Sequence, residues 1–278
     1  MTLTVFLAVL AAALLHAGWN AIVRVGASTA TTMLILTLVQ GGLGLAIAVF
    51  RGVPVPEAWV WLVASGVFHA GYKTFLAMAY EHGDLSRVYP IARGAAPLLV
   101  LGVSAAFLSE ELRGQDTLAV LILGLGILLM GRGVFLSGEQ RRLVPLALGS
   151  AMMTAGYSLV DGIGARVSGD ALGFVGWIFV LDAVLLTPLF LVLRGPGVLR
   201  APRSAWIMGG AAAVLSFWAY AVVVWAMTQA PIALVTALRE TSILFAVLIG
   251  WLAFGERMDR GKVAAVALIL AGVVLTRL

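Results

Sequence analysis

The chain has 278 residues, 62% of them hydrophobic and only 11% charged, with a mean hydropathy of +1.07. A soluble domain of that length needs far more charge to stay dispersed, so a soluble fold is excluded. The formal charge of +5 is scattered as arginines through short turns, which orients a membrane protein and is no nucleic-acid signal, and the absence of cysteine removes disulfide frameworks and thiolate metal sites.

A span needs roughly 20 mostly apolar residues. Apolar runs bounded by Gly, Pro and Arg turns place spans at about 3–23, 30–50, 58–79, 86–108, 115–136, 143–165, 171–193, 204–227, 231–254 and 261–277. The first does not read as a cleaved leader: it lacks a basic start, and its apolar run continues past Ala11–Ala13 into His16, Trp19 and Asn20. No alternation of period two appears, and lipid admits only helices or closed barrels, so the expectation is an all-α membrane protein of ten transmembrane helices.

The stretch from Tyr89 to Leu129 returns as Val235 to Leu275. At one constant shift Arg93 meets Arg239, Leu98 meets Leu244, Glu110 meets Glu256 and Gly126 meets Gly272. Upstream, His16-Ala-Gly-Trp-Asn20 matches Thr154-Ala-Gly-Tyr-Ser158, and Gly26-Ala27 matches Gly164-Ala165. A period this long demands two equivalent halves, 1–140 and 141–278. Five spans per half is an odd number, so the halves enter the membrane inverted, an architecture of secondary transporters with the site near the midplane between repeats. Lys and Arg concentrate in the connections after spans 1, 3, 5, 7 and 9, which puts both termini outside by the positive-inside rule.

Intramembrane polar residues are expensive and therefore informative. By helical spacing His16, Trp19 and Asn20 share a face of span 1, and Thr154, Tyr157, Ser158 and Asp161 share the matching face of span 6. Span 3 offers His69, Tyr72 and Lys73, span 4 Tyr89 and Arg93, span 8 Trp218, Tyr220 and Trp225, and span 9 Arg239, Glu240 and Ser242. Spans 2, 5, 7 and 10 are nearly bare apart from Gln40 and Asp182 and are expected to pack outside. The central lining is therefore expected from Trp19, Asn20, His69, Tyr72, Tyr89, Tyr157, Asp161, Trp218, Tyr220 and Ser242. Such a cavity suits an amphiphile with a flat or apolar side chain.

Asp161 and Glu240 are the candidates for a substrate ammonium, and Arg93, Arg239 and Lys73 for a carboxylate. Lys73, Arg93, Arg239 and Glu240 read equally as gate or structural charge. Glu110 and Glu256 read as turn and cap residues, Gly41-Gly-Leu-Gly44 as close helix packing, and Asp182 as the buried partner of a nearby arginine.

Phe254-Gly-Glu-Arg257 with Leu270-Ala-Gly-Val-Val274, and the looser Leu108-Ser-Glu110 with Gly124-Leu-Gly126, resemble the closing signature of the EamA-type repeat of the drug/metabolite transporter superfamily. His16-Ala-Gly-Trp-Asn20, Tyr89-Pro-Ile-Ala-Arg93 and Ala237-Leu-Arg-Glu240 resemble the YddG-type exporters of aromatic and other amino acids. The resemblance implies a multi-pass carrier of the bacterial-type inner membrane, with the lipid bilayer and a small-molecule substrate as partners and no cofactor or metal, and the pseudo-symmetry of the halves points to one chain as a complete carrier. Its rivals are a multidrug exporter and a sugar-phosphate carrier. Pro97, which the family often has, is matched by Ile243 in the second copy, so a proline break is expected in the first half alone. An intramembrane enzyme would need an H-E-x-x-H, a His/Asp cluster or a G-x-S-x-G, and none is present.

Overall fold

In the computed structural model the described residues are all those outside 26–28, 81–84, 109, 111, 131–142 and 256–257; at 24–25, 29–30, 76–77, 80, 85–91, 143, 193–194, 198 and 254 only the backbone course is described. The described residues are helical apart from short connections. The helices are α1 Leu3–Val25, α2 Thr29–Arg51, α3 Trp59–Tyr80, α4 Leu85–Phe107, α5 Gly114–Met130, α6 Leu143–Ser168, α7 Ala171–Arg194, α8 Arg203–Gln229, α9 Ile232–Arg239, α10 Ser242–Phe254 and α11 Arg260–Leu275. Since α9 and α10 follow one course across a short turn, the described residues form ten long helices, five to each half. Five of them are long and apolar enough to cross a membrane: Leu3–Val23, Thr31–Arg51, Ala171–Val192, Arg203–Gln229 and the continuous Ile232–Ala253.

The five most extensive helix interfaces all join one half to the other: α3 with α6, α2 with α7, α1 with α8, α5 with α11, and α4 with α6. Exchanging the halves turns the α3–α6 pair into α1–α8 and leaves α2–α7 and α5–α11 unchanged. The pairing has the two-fold pseudo-symmetry that inverted repeats require.

Small residues allow this close approach. A Cβ added to Gly126 would stand 2.8 Å from Ile269 Cγ1, and one added to Gly272 would stand 2.7 Å from Leu123 Cγ. These are the repeat's own equivalents meeting across the axis. Between α2 and α7 the contact is backbone on backbone, because a Cβ on Gly44 would lie 2.5 Å from the Gly176 carbonyl oxygen. At Gly41 it would lie 2.4 Å from Ala183 Cβ. The Gly41-Gly-Leu-Gly44 stretch is thus packing surface, as its composition indicates.

The helix break falls in the half without the proline. α4 runs unbroken through Pro97, whereas α9 and α10 are parted at Glu240 and Thr241. There Glu240 N–H donates to Ala237 O and Thr241 N–H to Leu238 O, each at 3.1 Å. These i−3 bonds tighten one turn to 3₁₀ geometry, a frequent mark of functional hinges. The Thr241 hydroxyl adds a bond to Leu238 O at 2.7 Å, so hydroxyl and backbone geometry, not a proline, shape the bend.

Glu110 caps a helix, and the helix belongs to the other half. Both of its carboxylate oxygens accept the N–H of Ile232, at 3.1 Å each, at the start of α9, where a negative charge meets the positive end of the helix dipole. Arg166, at the end of α6, donates to Glu110 at 2.7 Å, to Met227 O at 2.8 Å and to Ala230 O at 3.0 Å. One arginine and one glutamate therefore hold the α8–α9 turn at one end of the bundle. At α11 the cap is Asp259, which accepts from Gly261 N and Lys262 N; Glu256 lies outside the described residues.

Candidate functional site

The polar residues of both halves converge on the middle of the bundle. On α1 the spacing of His16, Trp19 and Asn20 turns them to one face, and they bond one another. Trp19 Nε1 donates to His16 Nδ1 at 3.2 Å and Asn20 Nδ2 to the His16 carbonyl at 2.7 Å. The other ring nitrogen of His16 lies 3.3 Å from Arg93 Nη2 on α4. Both ring nitrogens thus face donors, and a neutral imidazole accepts at only one of them. His16 can satisfy Trp19 or Arg93, not both.

Arg93 continues the chain of contacts. Its Nε stands 2.6 Å from Glu240 Oε2, while Arg239 Nη2 donates to Glu240 Oε1 at 3.0 Å and Arg239 Nε to the same oxygen at 3.2 Å. All three residues are buried. The two arginines are the repeat equivalents seen in the sequence, one from each half, and they share one carboxylate at the α9–α10 turn. Burying such charges is tolerable only when they are paired and hydrogen-bonded.

From Arg239 the path passes into a group of rings. Its guanidinium carbon lies 5.7 Å from the centroid of Tyr157 on α6. Tyr157 stacks on His69 of α3 with centroids 4.3 Å apart and an interplanar angle of 13°. Tyr72 and Tyr220 meet Tyr157 edge-on at 5.8 and 6.4 Å. Asp161, one turn below Tyr157, takes His69 Nε2 at 3.1 Å and the hydroxyl of Tyr220 from α8 on the same oxygen. Asp161 is wholly buried, while His16, Trp19, Asn20, His69, Tyr72 and Tyr220 are half-buried.

The helices that meet here are α1, α3, α4, α6, α8 and α9–α10, the six singled out by polar content. Trp19, Asn20, His69, Tyr72, Tyr157, Asp161 and Tyr220 belong to this centre, together with Arg93, Arg239 and Glu240. Ser242 is buried beside the turn, its hydroxyl unpartnered. The side chain of Tyr89 lies outside the described residues.

Two expectations are corrected. Trp218 is 46% exposed and shares a stripe with Ile207, Ala211, Val214 and Trp225 that runs the length of α8. That stripe is the surface a span turns to lipid, and Tyr220, two residues on, is rotated to the opposite side. The partner of Asp182 is not an arginine but Lys73, which therefore stands as structural charge and not as the candidate for a substrate carboxylate. Lys73 Nζ donates to both oxygens of Asp182 on α7 at 2.8 Å. The Arg166–Glu110 clamp was missed; the sequence signals only that Glu110 recurs as Glu256.

A model of the EamA-like transporter family matches residues 3–132 and again 142–278. The chain belongs to the EamA-like transporter family. This EamA-like transporter aligns with a solved crystal structure over 99% of its own length and 97% of the other chain, with a TM-score of 0.77 at 22% identity. That likeness concerns the fold alone. No curated protein matches the transporter. Its family accounts for the two repeats and makes it a multi-pass membrane transporter. Among the described residues no cluster of His, Cys, Asp and Glu could hold a metal ion.

Proposed function

We propose that this transporter is a secondary carrier exporting small amphiphilic metabolites, aromatic and hydrophobic amino acids foremost, across a bacterial inner membrane. All ten helices cross the bilayer, and one chain is a complete carrier. The observation that supports the substrate class is the centre itself. Stacked and edge-on rings (His69, Tyr157, Tyr72, Tyr220) lie beside buried charges of both signs (Asp161, Glu240, Arg93, Arg239). Flat apolar surface with a few placed polar groups is what an amphiphile with a zwitterionic head requires.

Trp19, Asn20, His69, Tyr72, Tyr157, Asp161, Tyr220 and Ser242 act as the substrate shell, and the Arg93–Glu240–Arg239 cluster joins the halves at its edge. The halves rock about this centre, with the 3₁₀ turn at Glu240–Thr241 as the hinge within α9–α10. A sugar-phosphate carrier is less well supported. A phosphate dianion would need several cations to meet it, whereas Lys73 is matched by Asp182 and the two arginines share Glu240, which leaves a single excess positive charge.

Uptake of labelled amino acids into proteoliposomes tests the reading. Saturable phenylalanine or leucine flux that falls at least tenfold in Tyr157→Ala is the expected result. Absence of amino-acid flux in vesicles holding folded wild-type protein would refute it and turn attention to drugs and phosphorylated metabolites.

A further inference from the structure

We propose that Asp161 is the subsite for a positive charge on the transported molecule, so that the substrates are amines and a purely anionic analogue is refused. The proposal rests on the reading of the polar centre as the substrate site. The Asp161 carboxylate is fully buried on α6. Its Oδ2 accepts from His69 Nε2 and from the Tyr220 hydroxyl, while Oδ1 has no partner. Among the described residues no lysine or arginine lies within ion-pair distance of it. Among the described residues the other buried carboxylates have their cations: Glu240 has Arg93 and Arg239, Asp182 has Lys73, Asp116 has Arg113 and Glu110 has Arg166.

A buried acid without a lysine or arginine partner is costly in an apolar bundle, the more so where one oxygen lacks a hydrogen bond of normal geometry. A molecule that brings both a positive charge and N–H donors removes both costs. The surroundings fit such a molecule. His69 and Tyr220 touch the carboxylate and continue through Tyr157 into Tyr72 as one cluster of rings, and electron-rich ring faces attract ammonium groups. Ser65, one turn before His69 on the same face of α3, brings its buried hydroxyl toward the same carboxyl and is another polar group there for an N–H donor to meet. The arginines are less open to an anion, since both already engage Glu240, and a carboxylate without an ammonium would leave Asp161 without a cation.

The test is calorimetric binding to the purified full-length protein in detergent. The probes are phenylalanine, phenethylamine, 3-phenylpropionate and 2-phenylethanol, against the wild type, Asp161→Asn and Tyr220→Phe. Wild type is expected to bind phenylalanine and phenethylamine at least tenfold more tightly than 3-phenylpropionate. Asp161→Asn is expected to lose at least tenfold in phenethylamine affinity while 2-phenylethanol is unchanged; a merely structural role would weaken both alike. Tyr220→Phe, which keeps the carboxylate, is expected to retain the preference for the amine over the anion. Equal phenethylamine affinity in Asp161→Asn and wild type overturns the subsite. So does a wild-type preference for 3-phenylpropionate, an arm that needs no variant to fold. In either case phenylalanine binding by the wild type leaves the amino-acid reading intact. Failure of folded wild type to bind phenylalanine or phenethylamine overturns both.

Discussion

At the scale of single residues, burial decides what each charge is worth. Glu240 is fully buried between two guanidinium groups, so Glu240→Gln strands two like charges in the interior. The expected loss is about 3–5 kcal/mol, the range for breaking a buried pair from one side. A large drop in melting temperature, followed by fluorescence-detected size exclusion in detergent, checks it. Lys73 differs because its side chain is 38% exposed. An ion pair so open to solvent is worth up to about 1 kcal/mol, and Lys73→Met should move the same melting curve far less. Similar losses from the two variants would contradict the assignment of the arginine–glutamate cluster as the buried charge of the fold.

At the scale of elements, helix contacts depend on missing side chains and on caps borrowed from the other half. A Cβ on Gly44 would strike the backbone carbonyl of Gly176, and backbone cannot swing aside as a side chain can. Gly44→Val should therefore push α2 from α7 and cost about 1–3 kcal/mol, the usual range for overpacking, while Gly42→Val, with open space around it, should be tolerated. Expression level and melting temperature of the two variants, compared side by side, decide this. The clamp at the α8–α9 turn makes a different prediction. Glu110→Gln keeps the shape but removes the charge that faces the α9 dipole and Arg166. It should loosen that end of the bundle by about 1 kcal/mol. The chain has no cysteine of its own, so a cysteine placed at Thr236 reports the opening directly. Faster labelling by a hydrophilic maleimide in the Glu110→Gln background is expected, and an unchanged rate would remove the clamp from any role in closing that end.

At the scale of the whole molecule, the two repeats are not independent bodies. The most extensive interfaces run between halves, so a half alone would expose the faces of α1, α3 and α6 that carry the interior polar groups. Residues 1–140 and 141–278 produced separately should each fail to give a monodisperse species. Produced together, they should co-purify as a complex with the melting behaviour of a nicked parent. Two separately stable halves would contradict the interlocked packing.

The sequence by itself determined the solvent, the helical class, the duplication and the six helices that carry polar residues. Each of these follows from composition or from a period of 3.6, and both are local properties of the chain. It also marked Arg93 and Arg239 as equivalents and Gly126 and Gly272 as a pair, since a register repeats without reference to space. The tertiary structure alone decided which charges meet. Lys73 and Asp182 are 109 residues apart, and Arg166 reaches Glu110 across 56; no local pattern encodes such pairings. Trp218 and Tyr220 looked alike on one helix, and only the neighbours of α8 showed that one faces outward while the other bonds Asp161. The break in span 9 was illegible for the same reason. It is held by a hydroxyl, i−3 bonds and two arginines converging from opposite halves, not by a proline.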